Sequence, residues 1–289
     1  MEKIKKLFEQ LGMNDQNGLY LIAEGKWKEK VGLSVRVKRL LEEKLKPEAI
    51  FCLDNKPIVL FYDSPTNKKE LFKAIWNFNE SPVVFVIEQN TVDIFNGLSY
   101  ANEEKTLERL ERDSKKLNAF SYFELVTGKT WQAYEKKFKY QNRVDYHLLK
   151  NIKDTRDKLI NDFGIDSFKS NALIGKCIFT RYLIDRNVRL KFNGTKLRAW
   201  SNEEFCKLLE DKDKTIQFLN YLKDHFNGEA FLIENSNLRK IPSEAFSLLS
   251  RLMQGTEIGT GQMSLFDIYD FSIIPVEFIS NVYEHFIGE

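Results

Sequence analysis

The chain has 289 residues, 43% hydrophobic and 13% aromatic, with 44 basic and 42 acidic side chains for a formal net charge of +2. That length predicts two domains rather than one core, and an aromatic content that includes 23 phenylalanines excludes a disordered chain. No stretch approaches the roughly 18 apolar residues a membrane-crossing helix needs, the start Met1-Glu-Lys-Ile-Lys-Lys leads into no apolar signal, and Cys52, Cys177 and Cys206 lack metal or disulfide spacing, so the expectation is a soluble cytoplasmic protein with reduced, buried thiols.

In chain order, residues 2–11 predict a helix with Ile4, Leu7, Phe8 and Leu11 on one face, and residues 19–23 a short strand. Residues 31–46 read as a helix stopped by Pro47. Residues 49–53 and 57–62 read as strands joined by an Asp54-Asn55-Lys56 turn, and residues 68–78 as a helix. The apolar run 83–87 predicts a central strand covered on both faces, and residues 92–95 a further strand ended by Asn96-Gly97. The charged stretch 102–118, polar apart from Leu107, Leu110 and Leu117, reads as an exposed connecting helix.

The remainder is helical in pattern, over residues 120–127, 131–138, 143–163, 170–186, 202–209, 215–226, 243–254 and 275–286. Ser201 with Glu204 three positions on is a capping box, Pro242-Ser243 and Pro275 mark two further starts, and Gly255 and Gly288 mark ends. The expected fold class is therefore α+β. A small α/β module, with a degenerate nuclease-like fold as one reading, occupies 1–101, a connecting helix 102–118, and an all-helical domain 119–289.

The near-neutral total hides an asymmetry. Residues 1–128 carry 20 basic and 20 acidic side chains, residues 129–198 carry 17 and 7, and residues 199–289 carry 7 and 15. A basic middle predicts a polyanionic partner, double-stranded DNA above all. Within it, Lys129, Lys136, Lys137, Lys139 and Arg143 are interleaved with Trp131, Tyr134, Phe138 and Tyr140, while Arg181, Arg186 and Lys191 follow further on. Cations suit phosphate contact and aromatic rings suit stacking. The bland alternative is a solvated charged face with its aromatics in the core.

The front module offers a second chemistry. A nuclease core of this layout places an acidic residue at one strand end and a Glu-x-Lys on its neighbour, for Mg²⁺ and for the attacking water. Asp54 and Asp63 flank the second strand of the hairpin, but the position two after Asp63 is Pro65, which carries no charge. Asp15 with Glu24-Gly25-Lys26 has the better local spacing, in a chain where Glu-x-Lys also arises by chance. Gly259-Thr-Gly261 reads as a flexible loop rather than a cofactor loop, and His147, His225 and His285 stand alone.

Several blocks of the second half, taken together, resemble one family. They are Arg143-Val-Asp-Tyr-His-Leu-Leu-Lys-Asn-Ile, Ala172-Leu-Ile-Gly-Lys-Cys-Ile-Phe-Thr-Arg-Tyr-Leu-Ile-Asp-Arg186, and Phe218-Leu-Asn-Tyr-Leu-Lys-Asp-His-Phe-Asn-Gly-Glu-Ala-Phe231. Gly261-Gln-Met-Ser-Leu-Phe266 and Tyr269-Asp-Phe-Ser-Ile-Ile-Pro-Val-Glu-Phe-Ile-Ser-Asn-Val-Tyr-Glu-His-Phe286 complete the set. They look like the helical region that precedes the catalytic domain in large single-chain restriction–modification adenine DNA methyltransferases. The family's Asn/Asp-Pro-Pro-Tyr/Phe motif and its glycine loop for S-adenosylmethionine are not in this sequence, whose six prolines are never adjacent. The resemblance thus implies a front part that holds DNA, with the helical domain 119–289 leading into a methyltransferase domain beyond residue 289 and coupling the α/β module to it. S-adenosylmethionine is implied for the intact protein and no cofactor for this part. Mg²⁺ enters only if the front module is an endonuclease, and a protein-interaction scaffold using the acidic tail is the third reading.

Overall fold

A computed structural model of the chain describes residues 2–89, 91–112, 114–192, 196–226, 235–260, 267–275 and 277–278. The chain divides into two compact units, Met1–Tyr146 and His147–Glu289, and the α+β class expected from the sequence is the one that forms.

The first unit is built on a six-stranded sheet in the order β1 (Leu19–Leu21), β2 (Ala49–Leu53), β3 (Lys56–Asp63), β4 (Val83–Ile87), β5 (Val92–Ala101) and β6 (Thr106–Arg112). Every neighbouring pair is antiparallel except β3 and β4, which run parallel and are joined by helix α4 (Lys68–Phe78). The β2–β3 turn is tight because Asp54 and Asn55 both adopt positive φ, 48° and 59°, as a two-residue hairpin requires. All five residues of β4 are buried, which fits its place inside the sheet. One face carries a core in which Ile4, Leu7, Phe8 and Leu11 of α1 (Glu2–Leu11) pack on Phe51, Phe61 and Phe85. Phe61 stacks on Phe85 with ring centroids 5.0 Å apart, and Phe8 meets Phe61 edge-on.

Three sequence expectations change here. The helix expected from Val31 begins instead at Val35, because the Ser34 side chain accepts the Val37 N–H and caps α3 (Val35–Leu40); a short helix, α2 (Trp27–Lys30), precedes it. Asn96-Gly97 does not end a strand: β5 runs through it, bulging between Asn96 and Tyr100. A side chain at Gly97 would stand 2.0 Å from the Ser81 carbonyl oxygen, so only glycine lets the chain pass. The charged connecting helix over 102–118 is overturned. Residues 106–112 form β6, with Leu107 and Leu110 buried, and Leu117 and Phe120 in the following turn are buried too. Leucines three apart mimic a helical stripe, but Leu110 sits in a bulge, where the pairing jumps from Glu111 opposite Ile94 to Arg109 opposite Phe95.

Two short helices, α5 (Tyr122–Val126) and α6 (Lys129–Ala133), close the first unit, where Leu125 joins the same core and Trp131, Tyr134 and Phe138 pack against it. The all-α pattern thus begins inside the first unit, and its later part forms the second.

The second unit starts within α7 (Val144–Asn161) and continues through α8 (Ser167–Asp185), α9 (Asn202–Leu209), α10 (Lys212–Phe226), α11 (Asn235–Leu238) and α12 (Ser243–Gln254). Asp166 caps α8 by accepting the Lys169 N–H, and Ser201 and Glu204 form the expected capping box on α9. Gly255 ends α12 at φ 82°. Cys177 and Cys206 are buried here, as Cys52 is in the first unit; all three thiols are free, and burial pushes each up to about 12. The helix expected over 275–286 lies outside the described residues except at Pro275, Glu277 and Phe278. No helix of the described residues is long and apolar enough to cross a membrane.

Candidate nucleic-acid interface

In the first unit the basic segment is partly consumed by its own carboxylates. Lys137 Nζ lies 2.6 Å from Glu108 of β6, Arg143 lies 3.2 Å from Asp145, and Lys129 is 3.6 Å from Glu124. Lys136 and Lys139 are exposed and pair with no carboxylate among the described residues. The interleaved aromatics divide in the same way. Trp131 and Phe138 meet edge-on over the core, and Tyr134 packs against Phe120 while its hydroxyl donates to Glu111 at 2.7 Å. Only Tyr140 of that set stays in solvent, at 53% exposure, with the Arg143 guanidinium 5.7 Å from its ring centre. Sequence reasoning missed Phe123, 60% exposed, with Lys129 Nζ 5.0 Å above its ring. Its signal was available: on α5 it points away from the buried Leu125.

In the second unit Arg181 does not belong to a binding face. It is 1% exposed. Its Nε donates to Asp185 at 2.7 Å, Nη1 to the Met253 carbonyl at 2.8 Å, and Nη2 to the Tyr269 carbonyl at 2.9 Å and to the Asp267 carboxylate. These bonds tie α8 to the segment after α12, and the two carboxylates keep the guanidinium charged despite its burial. Arg186, one and a half turns on, is different. Its guanidinium lies 4.2 Å from the Tyr182 ring centre, and its buried Nε has no hydrogen-bond partner among the described residues. Lys191 is exposed, and its backbone N–H donates to the Tyr221 hydroxyl of α10 at 3.0 Å.

A second network lies beside Arg181. Asn151 of α7 donates to the Tyr269 hydroxyl at 2.9 Å and to the Thr256 carbonyl at 3.1 Å, and its Oδ1 accepts the Ile258 N–H. The Tyr269 hydroxyl also lies 2.7 Å from His147 Nδ1, within hydrogen-bond distance. Burial holds the His147 imidazole below its ordinary value, in the neutral form that accepts this bond. His225 stacks on Tyr221 at 5.3 Å, and His285 lies outside the described residues.

The nuclease candidates fall into two sets. Asp54 sits in the β2–β3 turn and Asp63 at the far end of the eight-residue β3, roughly 25 Å away at about 3.3 Å per residue. They share no site. The partner of Asp63 is Glu48, just before β2, whose carboxylate accepts the Asp63 N–H at 3.0 Å. Burial raises the Glu48 carboxyl, opposed by that bond and reinforced by the Asp63 charge, and the buried Tyr62 hydroxyl beside it has no hydrogen-bond partner among the described residues. The hairpin register, Ala49 opposite Phe61, is the signal that would have paired them. Asp15, Glu24 and Lys26, by contrast, line one hollow of about 240 Å³ together with Lys5, Lys30 and Trp27. Asp15 and Glu24 are the oxygen donors Mg²⁺ takes from a protein, and Lys26 sits 3.8 Å from Glu24. No three His, Cys, Asp or Glu residues among those described cluster tightly enough to form a metal cage. Gly259, in the glycine loop, stands where a side chain would meet the Asp154 carboxylate at 2.6 Å, and Gly261 lies outside the described residues.

No protein-family model matches the chain, and no curated protein or solved structure is significantly similar to it.

Proposed function

We propose that this chain is a non-catalytic, DNA-holding part of an adenine-specific DNA methyltransferase of the restriction–modification kind, coupling its α/β unit to a methylating domain. The observation that carries the reading is a set of cations that pair with no carboxylate among the described residues and stand near accessible rings. These are Lys136 and Lys139 next to Tyr140 in the first unit, and Arg186 over Tyr182 in the second. Cations of this kind contact phosphates, and open rings stack on bases or sugars. The sequence blocks over residues 120–289 supply the link to methyl transfer, whose S-adenosylmethionine belongs to the methylating domain. Double-stranded DNA is the partner and the cytoplasm the setting.

A second reading is favoured by one observation, the gathering of Asp15, Glu24 and Lys26 around one hollow. There Asp15 and Glu24 would hold Mg²⁺ and Lys26 would steady charge on a phosphate, making the first unit an endonuclease.

One assay separates these readings. The chain is mixed with duplex DNA and Mg²⁺ across a salt series, and the DNA is then checked for breaks. Salt-sensitive binding to intact DNA supports the holding role. Cleavage that disappears in Asp15→Asn and Glu24→Gln supports the endonuclease. No binding at any salt sinks both and leaves a scaffold for a protein partner.

A further inference from the structure

From Arg186 to Arg198 the sequence carries five cations, Arg186, Arg189, Lys191, Lys196 and Arg198, and no acidic residue. Asn187, in the left-handed region at φ 59°, turns the chain off the end of α8, and the Val188 N–H returns to the Leu183 carbonyl at 2.9 Å. Two antiparallel segments follow. Leu190 and Arg198 exchange both backbone hydrogen bonds, at 2.8 and 3.2 Å, and so face each other across a short two-stranded ribbon.

Side chains along such a ribbon alternate between its two faces, and facing residues share one. Leu190 and Phe192 are buried and mark the inner face. There Phe192 meets Phe218 of α10 edge-on, with ring centroids 5.1 Å apart, and Trp200 packs on the same ring at 5.4 Å. Arg189, Lys191, Leu197 and Ala199 take the opposite face, and all four are exposed. The register sets Lys191 beside Leu197, which is 53% exposed, and Arg189 beside Ala199.

Both segments are anchored from the inner side. On the first, the Tyr221 hydroxyl of α10 accepts the Lys191 N–H at 3.0 Å. On the second, Arg198 grips Glu204 of α9 through both terminal nitrogens, at 3.0 and 2.7 Å, and its guanidinium lies 5.2 Å from the Trp200 ring centre. Arg198 therefore holds the ribbon in place. The outward face combines two cations with an aliphatic side chain. The major groove admits a two-stranded ribbon, its walls offer phosphates to cations, and its floor offers thymine methyls to apolar groups.

We propose that this ribbon enters the major groove of duplex DNA, with Arg189 and Lys191 on backbone phosphates and Leu197 against base edges. The proposal rests on the DNA-holding reading and gives that reading a specific element. It also sorts the cations of one run into an anchor, Arg198, and two contacts.

The test uses the whole chain, a fluorescent duplex of arbitrary sequence and a salt series, with thermal unfolding measured on the same samples. Arg189→Gln/Lys191→Gln is expected to keep the wild-type melting temperature and to lose affinity about tenfold, with a salt slope lower by about 1.8 for two phosphates released. Leu197→Ser removes no charge, so it is expected to weaken binding about threefold and to leave the slope unchanged. Lys207→Gln/Lys214→Gln takes the same charge from lysines already paired with Glu203 and Asp211 and is expected to bind as wild type. An equal loss in that control traces to net charge and overturns the ribbon. Binding that Arg189→Gln/Lys191→Gln leaves unchanged overturns it too, and in both cases the DNA-holding reading stands. A wild-type chain that binds no duplex overturns both.

Discussion

The basic segment of the first unit and the α8–α10 side of the second contain the same residue types in different states. In the first, Lys129, Lys137 and Arg143 each find a nearby carboxylate, and three of the four interleaved rings fill the core. In the second, Lys176, Lys223, Arg186 and Lys191 pair with no carboxylate among the described residues, and Tyr182 and Phe179 keep part of their surface. On the proposed DNA-holding role, the cations that matter are therefore those that pair with no carboxylate among the described residues, not the total. An exposed lysine already paired contributes little to stability or to binding.

The sharpest way to break this contrast is within α8 itself. Arg181→Met leaves Asp185 and Asp267 without their ionic partner and the Met253 and Tyr269 carbonyls without its donors, so urea unfolding is expected to show a loss of about 3–5 kcal/mol. Arg186→Met, five residues on, is expected to leave the unfolding midpoint nearly unchanged and to weaken DNA binding instead. If Arg181→Met folded normally and merely lost DNA affinity, the division of α8 into a structural and a binding arginine would be wrong.

A smaller effect is expected from Lys136→Glu/Lys139→Glu in the first unit, a several-fold drop in duplex affinity that is steepest at low salt. The paired neighbour sharpens the comparison. Lys137→Gln is expected to leave affinity close to wild type and to lower stability by less than about 1 kcal/mol, because Glu108 holds that charge at the sheet edge. Equal losses from the two variants would show that pairing does not matter.

The smallest expected effect concerns His147. Its folded value lies below the ordinary 6.5, chiefly through burial. The unfolded chain therefore takes up a proton near 6.5 while the fold resists. This contribution to stability is whole above 6.5 and is lost as pH falls from there through the folded value. Urea midpoints measured from neutral to mildly acidic pH check the sign. Tyr269→Phe removes the hydroxyl that His147 and Asn151 share and is expected to lower stability by about 1 kcal/mol.

Much of the fold was legible because local signals agreed with tertiary ones. The apolar stripe of α1, the Asp54-Asn55 turn, the buried run of β4 and the capping box of α9 each carry their structure in a few adjacent residues. Strand β6 was not legible, since a bulge at Leu110 broke the alternation that identifies a strand. The site was legible only by composition. The sequence places Arg181 and Arg186 in one helix but does not say that Asp267, 86 residues away, claims the first. Nor does it say that Glu108 claims Lys137, since that pairing depends on a strand that read as a helix. Glu48 and Asp63 could be paired only through the hairpin register, whereas Asp15, Glu24 and Lys26 lie close in sequence and line one hollow.

The measurement that bears most directly on the DNA-holding role is a salt titration of duplex binding by the unmodified chain, with Mg²⁺ present and the DNA examined afterwards. Affinity that falls linearly on a log–log plot, with the DNA intact, is the expected result, and its slope counts the phosphates contacted. An affinity indifferent to salt, or no binding at all, would contradict a role in holding DNA.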